Sequence, residues 1–130
     1  MEDVAKRATL SQYKKILLKV EPSCFYCVKP LSIVGADLEI DHFIPWSFIH
    51  DDQLWNLVQT CHNYNHSKKD YLASKTFLTK FIIRNEMFKN IKLNNLAMQN
   101  YATEKYQLIY NNALINGFSY DWNPKKSNIN

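Results

Sequence analysis

Asp41 and His42 stand side by side, Asn56 follows the histidine by fourteen positions, and Asn65 lies nine beyond that. A carboxylate is an anionic oxygen ligand for a hard cation. An imidazole with an ordinary pKa of about 6.5 is a base near neutral pH, and a carboxamide offers a further oxygen to a metal. These are the parts of a minimal site for cutting a phosphodiester, which needs an activated water, neutralised phosphate charge and a stabilised leaving oxygen. Each residue type alone is most often packing or surface. The signal lies in their order and spacing, together with the connecting runs Phe43-Ile44-Pro45-Trp46-Ser47 and Trp55-Asn56-Leu57-Val58 and the ending Cys61-x-x-Tyr64-Asn65-x-x-Lys68.

Several elements must position these groups. Leu38-Glu39-Ile40-Asp41-His42 alternates apolar and polar residues as a half-buried strand does, and Pro45 breaks it. Residues 46–53 read as a loop with Asp51-Asp52 at its tip, and Leu54 to Gln59 as the returning strand. On a regular strand Asp41 and His42 point to opposite faces. Upstream, Val4, Ala8, Tyr13, Ile16, Leu17 and Val20 recur at near-helical spacing, predicting an amphipathic helix over 4–20 that Glu21-Pro22 ends. Cys24-Phe25-Tyr26-Cys27 makes a tight knuckle and Lys29-Pro30-Leu31 a turn. From Asn63 to Gly117 there is neither glycine nor proline, which predicts a helical C-terminal half. Phe77, Leu78, Phe81, Ile82 and Phe88 suggest one buried face there, and Leu96, Tyr101, Leu108, Ile109 and Leu114 another. Asn94-Asn95 marks a break between helices, Gly117 a C-cap, and Lys125–Asn130 a frayed tail.

The motif as a whole resembles the HNH nuclease family, the ββα-metal finger, in a variant whose last position is Asn. The resemblance covers residues 24–70 and implies an α+β fold, a ββα-metal finger embedded in a mainly α-helical domain. On that reading residues 1–130 form one HNH nuclease domain: an N-terminal helix over 1–22, the finger over 23–74, C-terminal helices over 75–117 and a tail over 118–130. By the family match His42 is the general base, and both it and Asp41 reach one cleft with the helix that follows. Asp41 and Asn65 are then the protein ligands of one divalent cation, and an oxygen-only set suits Mg²⁺ or Mn²⁺ better than Zn²⁺. Asn56 matches the middle Asn, which bridges backbone groups across the loop and keeps the base aimed. Lys68 and Lys69 are expected at the nucleic-acid backbone. Family members often bind a structural Zn²⁺ through two Cys-x-x-Cys knuckles. Here Cys24, Cys27 and Cys61 remain while Tyr64 stands at the fourth position, leaving two alternatives: His62 or His66 completes the zinc set, or the cysteines are small core residues. The subgroup most like these residues occurs in bacterial and phage defence proteins, often beside a fused sensor, an ATPase or a partner subunit.

Bulk properties bound the rest. With 130 residues, 46% hydrophobic content, two glycines and four prolines, the chain reads as one folded, helix-rich domain. No apolar run approaches membrane-span length and three cysteines suit a reducing compartment, so a cytoplasmic protein is expected. The net charge of +4 is unevenly spread. No Lys or Arg falls between Lys29 and Lys68, while Lys14, Lys15, Lys19 and then Lys68, Lys69, Lys75, Lys80, Arg84, Lys89 and Lys92 flank an acidic centre. That pattern suits a cation-dependent site that also holds a polyanion, DNA or alternatively RNA. His50 reads as a loop residue, and Trp46 and Trp55 as packing the loop onto the core. A non-catalytic zinc-knuckle module that binds nucleic acid or protein is the competing function class.

Overall fold

The computed structural model describes residues 2–92, 95–118 and 121–123. Helices α1 (Glu2–Val20), α2 (Trp46–Ile49), α3 (His62–Lys68), α4 (Lys75–Asn90), α5 (Leu96–Gln99) and α6 (Thr103–Ile115) surround two strands, β1 (Leu38–His42) and β2 (Leu57–Cys61). The strands pair antiparallel, with Leu38 opposite Cys61 and His42 opposite Leu57. Helices and a small antiparallel sheet make this an α+β arrangement. Among the described residues no helix is long and apolar enough to cross a membrane.

β1 occupies the span its alternation predicts, but β2 begins three residues late. Leu54–Asn56 forms a 3-10 turn instead, closed by Asn56 N–H donating to the Gln53 carbonyl at 2.8 Å. All five β2 residues are buried, so the strand reads as a continuous run rather than an alternating one. α3 leaves β2 without a connecting loop, since Cys61 ends the strand and serves as the N-cap. Before β1, the chain turns through the Cys24–Val28 knuckle, where Cys24 N–H meets the Lys29 carbonyl at 2.8 Å. Val28 there takes a left-handed φ of 65°, costly for a β-branched residue.

The core is aromatic. Phe43 stacks on Phe81 of α4 at 4.5 Å between centroids, and Phe25 meets both rings edge-on. From α6 the buried residues are Tyr106, Tyr110 and Ala113, at helical spacing, whereas Leu108 is 60% exposed and Leu96 is 73% exposed. The buried face of this region is thus tyrosine-lined rather than aliphatic, because burying a phenol is cheap once its hydroxyl has a partner. Tyr110 donates to the Ala73 carbonyl at 2.6 Å. α6 ends in the turn Gly117 suits, with φ at 89° and Phe118 N–H reaching the Ala113 carbonyl. Trp122, in the segment read as tail, is buried and brackets Ala73 by bonds to Leu72 O and from Ser74 N. Lys125–Asn130, Asn94 and the side chains of Val4 and Ala8 lie outside the described residues.

Two buried polar residues of α4 hold the 3-10 turn and β2. Arg84 donates to the carbonyls of Leu54 and Leu57 and to Asn85 Oδ1, and its guanidinium lies 4.2 and 4.5 Å from the centres of the Phe81 and Phe88 rings. Asn85 donates to the Trp55 carbonyl at 2.9 Å. Arg84 is therefore an internal clamp and not part of a basic surface. Lys80, on the Phe25 carbonyl at 2.6 Å, and Lys89, on the Tyr101 carbonyl at 2.8 Å, also donate to main-chain carbonyls, though from more exposed positions. The basic flank legible in the sequence is in good part structural.

Candidate active site

β1 and α3 set the site. Strand alternation puts Glu39 and Asp41 on the side facing α3, and the helical spacing of Asn65 and Lys68 puts one turn of α3 opposite them. Two contacts follow. Asn65 Nδ2 donates to Glu39 Oε1 at 2.7 Å, and the Lys68 ammonium lies 3.1 Å from Asp41 Oδ2. Tyr26 O–H from the knuckle donates to the same Oδ2 at 2.9 Å. Burial and the neighbouring Asp41 charge hold the Tyr26 phenol well above its ordinary value, so it stays a donor.

Lys68, expected at a phosphate backbone, is fully buried, and its ammonium also donates to the His42 carbonyl at 3.1 Å. It ties the end of β1 to α3 from inside. Lys69, next along, is exposed with φ at 48°. The acidic face of β1 is thus neutralised at one end by an internal cation.

His42, next along β1, has a different partner from Asp41. Its Nε2 lies 2.6 Å from Asp52 Oδ1 in the loop between α2 and the 3-10 turn. A carboxylate only accepts, so Nε2 carries the proton in that bond. In the neutral ring Nδ1 is then left with the lone pair that can take a proton. Asp52 is a residue whose role sequence reasoning missed. Its only signal was the acidic loop tip.

Asn56 supports this loop from beneath. It is fully buried, its Oδ1 accepting from Ile44 N–H at 2.9 Å and its Nδ2 donating to the Ile44 carbonyl at 2.9 Å. Tyr106 O–H gives the side chain its third bond, the second to Oδ1, at 2.7 Å, coupling α6 to the loop. Trp55 meets Tyr106 edge-on at 5.8 Å, while Trp46 is 43% exposed against His50 and does not enter the core. Truncating Asn56 leaves three buried groups unpaired at about 1–3 kcal/mol each, though relaxation shares part of that. Asn56→Ala is expected to lower the melting temperature sharply, and Tyr106→Phe to lower it by a smaller amount. Calorimetric melts of both proteins check this.

The three cysteines converge. Their Sγ atoms all lie within 4.8 Å of one another, with Cys27 and Cys61 3.7 Å apart. Tetrahedral zinc with bonds near 2.3 Å places its sulfurs about 3.8 Å apart, so the spacing fits that ion. Burial alone would raise Cys24, yet backbone N–H groups of Cys61 and Cys27 and the Thr60 hydroxyl outweigh it and bring the thiol below its ordinary value. Burial pushes the Cys27 thiol up to about 12 and raises Cys61. Among the described residues no imidazole joins the set: His62 and His66 group with Glu39 instead, with His62 Nδ1 2.5 Å from Glu39 Oε2. Tyr64 packs towards Trp122.

The donor types also fit a hard cation on the α3 side of β1, where carboxylates of Glu39 and Asp41 and the Asn65 carboxamide share one face. Both donors to Asp41 take Oδ2, and the Asn65 amide commits its nitrogen to Glu39, making its oxygen the atom suited to a metal. Asp41 and Asn65 thus share the strand–helix junction, each with a different first partner.

Residues 24–74, from the first knuckle cysteine through both strands and α3, match the family model described as HNH endonuclease. This supports the HNH family and a ββα finger over that segment, and points to a metal-dependent nuclease. No curated protein matches the chain.

Proposed function

We propose that this chain is an endonuclease of the His-Asn-Asn type that hydrolyses phosphodiester bonds in DNA with one divalent cation, Mg²⁺ or Mn²⁺. The observation that carries this reading is the His42–Asp52 pair at the end of β1, within the matched segment and next to Asp41. In this reading Asp52 holds the ring so that Nδ1 faces the attacking water, and His42 takes its proton. Asp41 and Asn65 hold the cation, which when bound would supply charge neutralisation at the phosphate and leaving oxygen. Lys68 binds β1 to α3, its ammonium 3.1 Å from the Asp41 carboxylate. Lys69 is exposed at the end of α3 and suits a phosphate contact. Asn56 positions the loop that carries Asp52 and touches no reacting atom. The products expected by family resemblance are a 5′-phosphate and a 3′-hydroxyl. Sequence choice is assigned to a partner subunit or fused sensor, as the resemblance to modules of defence proteins suggests.

Plasmid incubation with Mg²⁺ or Mn²⁺, with and without EDTA, tests the activity, and an RNA substrate in parallel tests the choice of nucleic acid. Asn65→Ala and Asp41→Asn are expected to weaken Mn²⁺ binding at least as much as loss of an outer-shell partner does, about 10–100-fold, and to lose cleavage. Asp41→Asn is preferable to alanine, which would strand the Lys68 ammonium in the interior at about 3–5 kcal/mol. A second reading rests on the donors that Lys68 and Tyr26 already supply to Asp41. If both variants bind Mn²⁺ like the parent and the parent cuts nothing, the chain is a non-catalytic binding module.

Zinc at the three sulfurs belongs to the same proposal, with the fourth position filled by something other than an imidazole of α3. Elemental analysis after purification without added metal is expected to find zinc, and Cys24→Ser to lose it together with thermal stability. Zinc near zero, with Cys24→Ser as stable as the parent, would assign the cysteines to packing.

A further inference from the structure

We propose a second cation site on the outer face of α3, formed by Glu39, His62 and His66 and selective for a borderline-soft divalent ion of the Zn²⁺ class. The two imidazoles sit one helical turn apart on the same face, 4.0 Å between ring centres, with the Glu39 carboxylate across from them on β1. The three candidate ligand atoms all lie within 4.8 Å of one another. Tetrahedral zinc with bonds of about 2.0–2.2 Å separates its nitrogen and oxygen ligands by roughly 3.3–3.6 Å. His66 Nε2 and Glu39 Oε1 are already 3.6 Å apart. His62 Nδ1 and Glu39 Oε2, now in hydrogen-bond contact at 2.5 Å, would open by about 1 Å, which small side-chain rotations supply.

An ordinary surface ion pair explains only half of this arrangement. It accounts for His62, but 3.6 Å is too long for a hydrogen bond, so pairing with Glu39 gives His66 no comparable reason to stand there. The carboxylate is also held in place, since Asn65 donates to Oε1, as second-layer partners of metal ligands do. Both histidine side chains are more than half exposed, so an ion can enter and water can complete its shell. Two nitrogens and one oxygen select zinc, copper or nickel over magnesium, which separates this site from the all-oxygen one. Because Glu39 also binds Asn65, occupancy would bear directly on the orientation of that amide.

The test is a titration of the full chain, freed of metal by chelation, with Zn²⁺ by calorimetry and with paramagnetic Co²⁺ by NMR of the four histidines. The first Co²⁺ additions are expected to broaden His62 and His66 while His50, on a different loop, stays sharp. Charge-transfer absorption from thiolate to cobalt reports any ion at the cysteines separately. His66→Ala leaves the His62–Glu39 pair intact and should not disturb folding, yet it is expected to weaken the sulfur-free Zn²⁺ step by at least about tenfold. Glu39→Gln should do the same. Equal broadening of His50, His62 and His66, or a His66→Ala chain that takes up Zn²⁺ as the parent does, would overturn the proposal.

Discussion

Replacing His42 with alanine is expected to slow DNA cleavage by about 10²–10⁴-fold while Mn²⁺ affinity and melting temperature stay unchanged. The side chain makes its bond to Asp52 at a part-buried position, 24% and 20% of the two side chains being exposed, so water can still reach the carboxylate that is left. Little stability should therefore be lost. The imidazole bonds Asp52 and is not one of the proposed cation ligands, so those ligands keep their own contacts. Asp52→Asn separates positioning from chemistry. A carboxamide can present either a donor or an acceptor to Nε2, so the ring would populate both tautomers and only one exposes a basic Nδ1. The expected result is a lower kcat with unchanged KM for DNA, and ¹⁵N shifts of His42 that report mixed tautomers in place of the Nε2–H form. A His42→Ala chain that cuts at the parental rate, or that loses Mn²⁺, would remove the base from this mechanism.

Arg84→Ala is expected to cost roughly 3–5 kcal/mol, the scale of breaking a buried charged network. Three effects combine. The carbonyls of Leu54 and Leu57 and the Asn85 side chain lose their donor, two aromatic faces lose a cation, and a void opens between α4 and the 3-10 turn. Against a total stability of about 5–15 kcal/mol, this removes a large share. Chemical denaturation should show a lower midpoint. Arg84→Lys should recover only part of it, because an ammonium cannot reach two carbonyls and a carboxamide in the planar fork that a guanidinium offers. A variant with parental stability would mean that these bonds contribute nothing net. Asn56 hangs from the same turn, so the loop carrying Asp52 should loosen along with it.

The local part of this protein was legible in the amino-acid order. β1 is a short alternating segment stopped by a proline, and both the strand and its end came directly from that pattern. Gly117 closes α6 because a left-handed residue is needed there and glycine takes that conformation at little cost. The convergence of Cys24, Cys27 and Cys61 was expected from the family resemblance and not from the residue order alone.

What the order of residues did not reveal depends on which neighbour each side chain meets. The sequence counts Lys68, Arg84, Lys80 and Lys89 as positive charges. Only the folded chain shows that their ammonium and guanidinium groups donate to main-chain carbonyls, Lys68 and Arg84 from the interior and Lys80 and Lys89 from more exposed positions. Long basic side chains can turn inward wherever a carbonyl needs a donor, and periodicity carries no mark of that. The second face was read only in part: Tyr101 is buried and Ile109 and Leu114 pack against the core, but Tyr106 and Tyr110 of α6 became core residues because Asn56 and Ala73 offered acceptors to their hydroxyls. The His42–Asp52 and Glu39–Asn65 pairs were likewise decided by tertiary structure. The first depends on how a loop of irregular backbone folds back over β1, and the second on the rotation of α3 about its own axis relative to the sheet. Neither quantity is encoded by residue spacing within a single element.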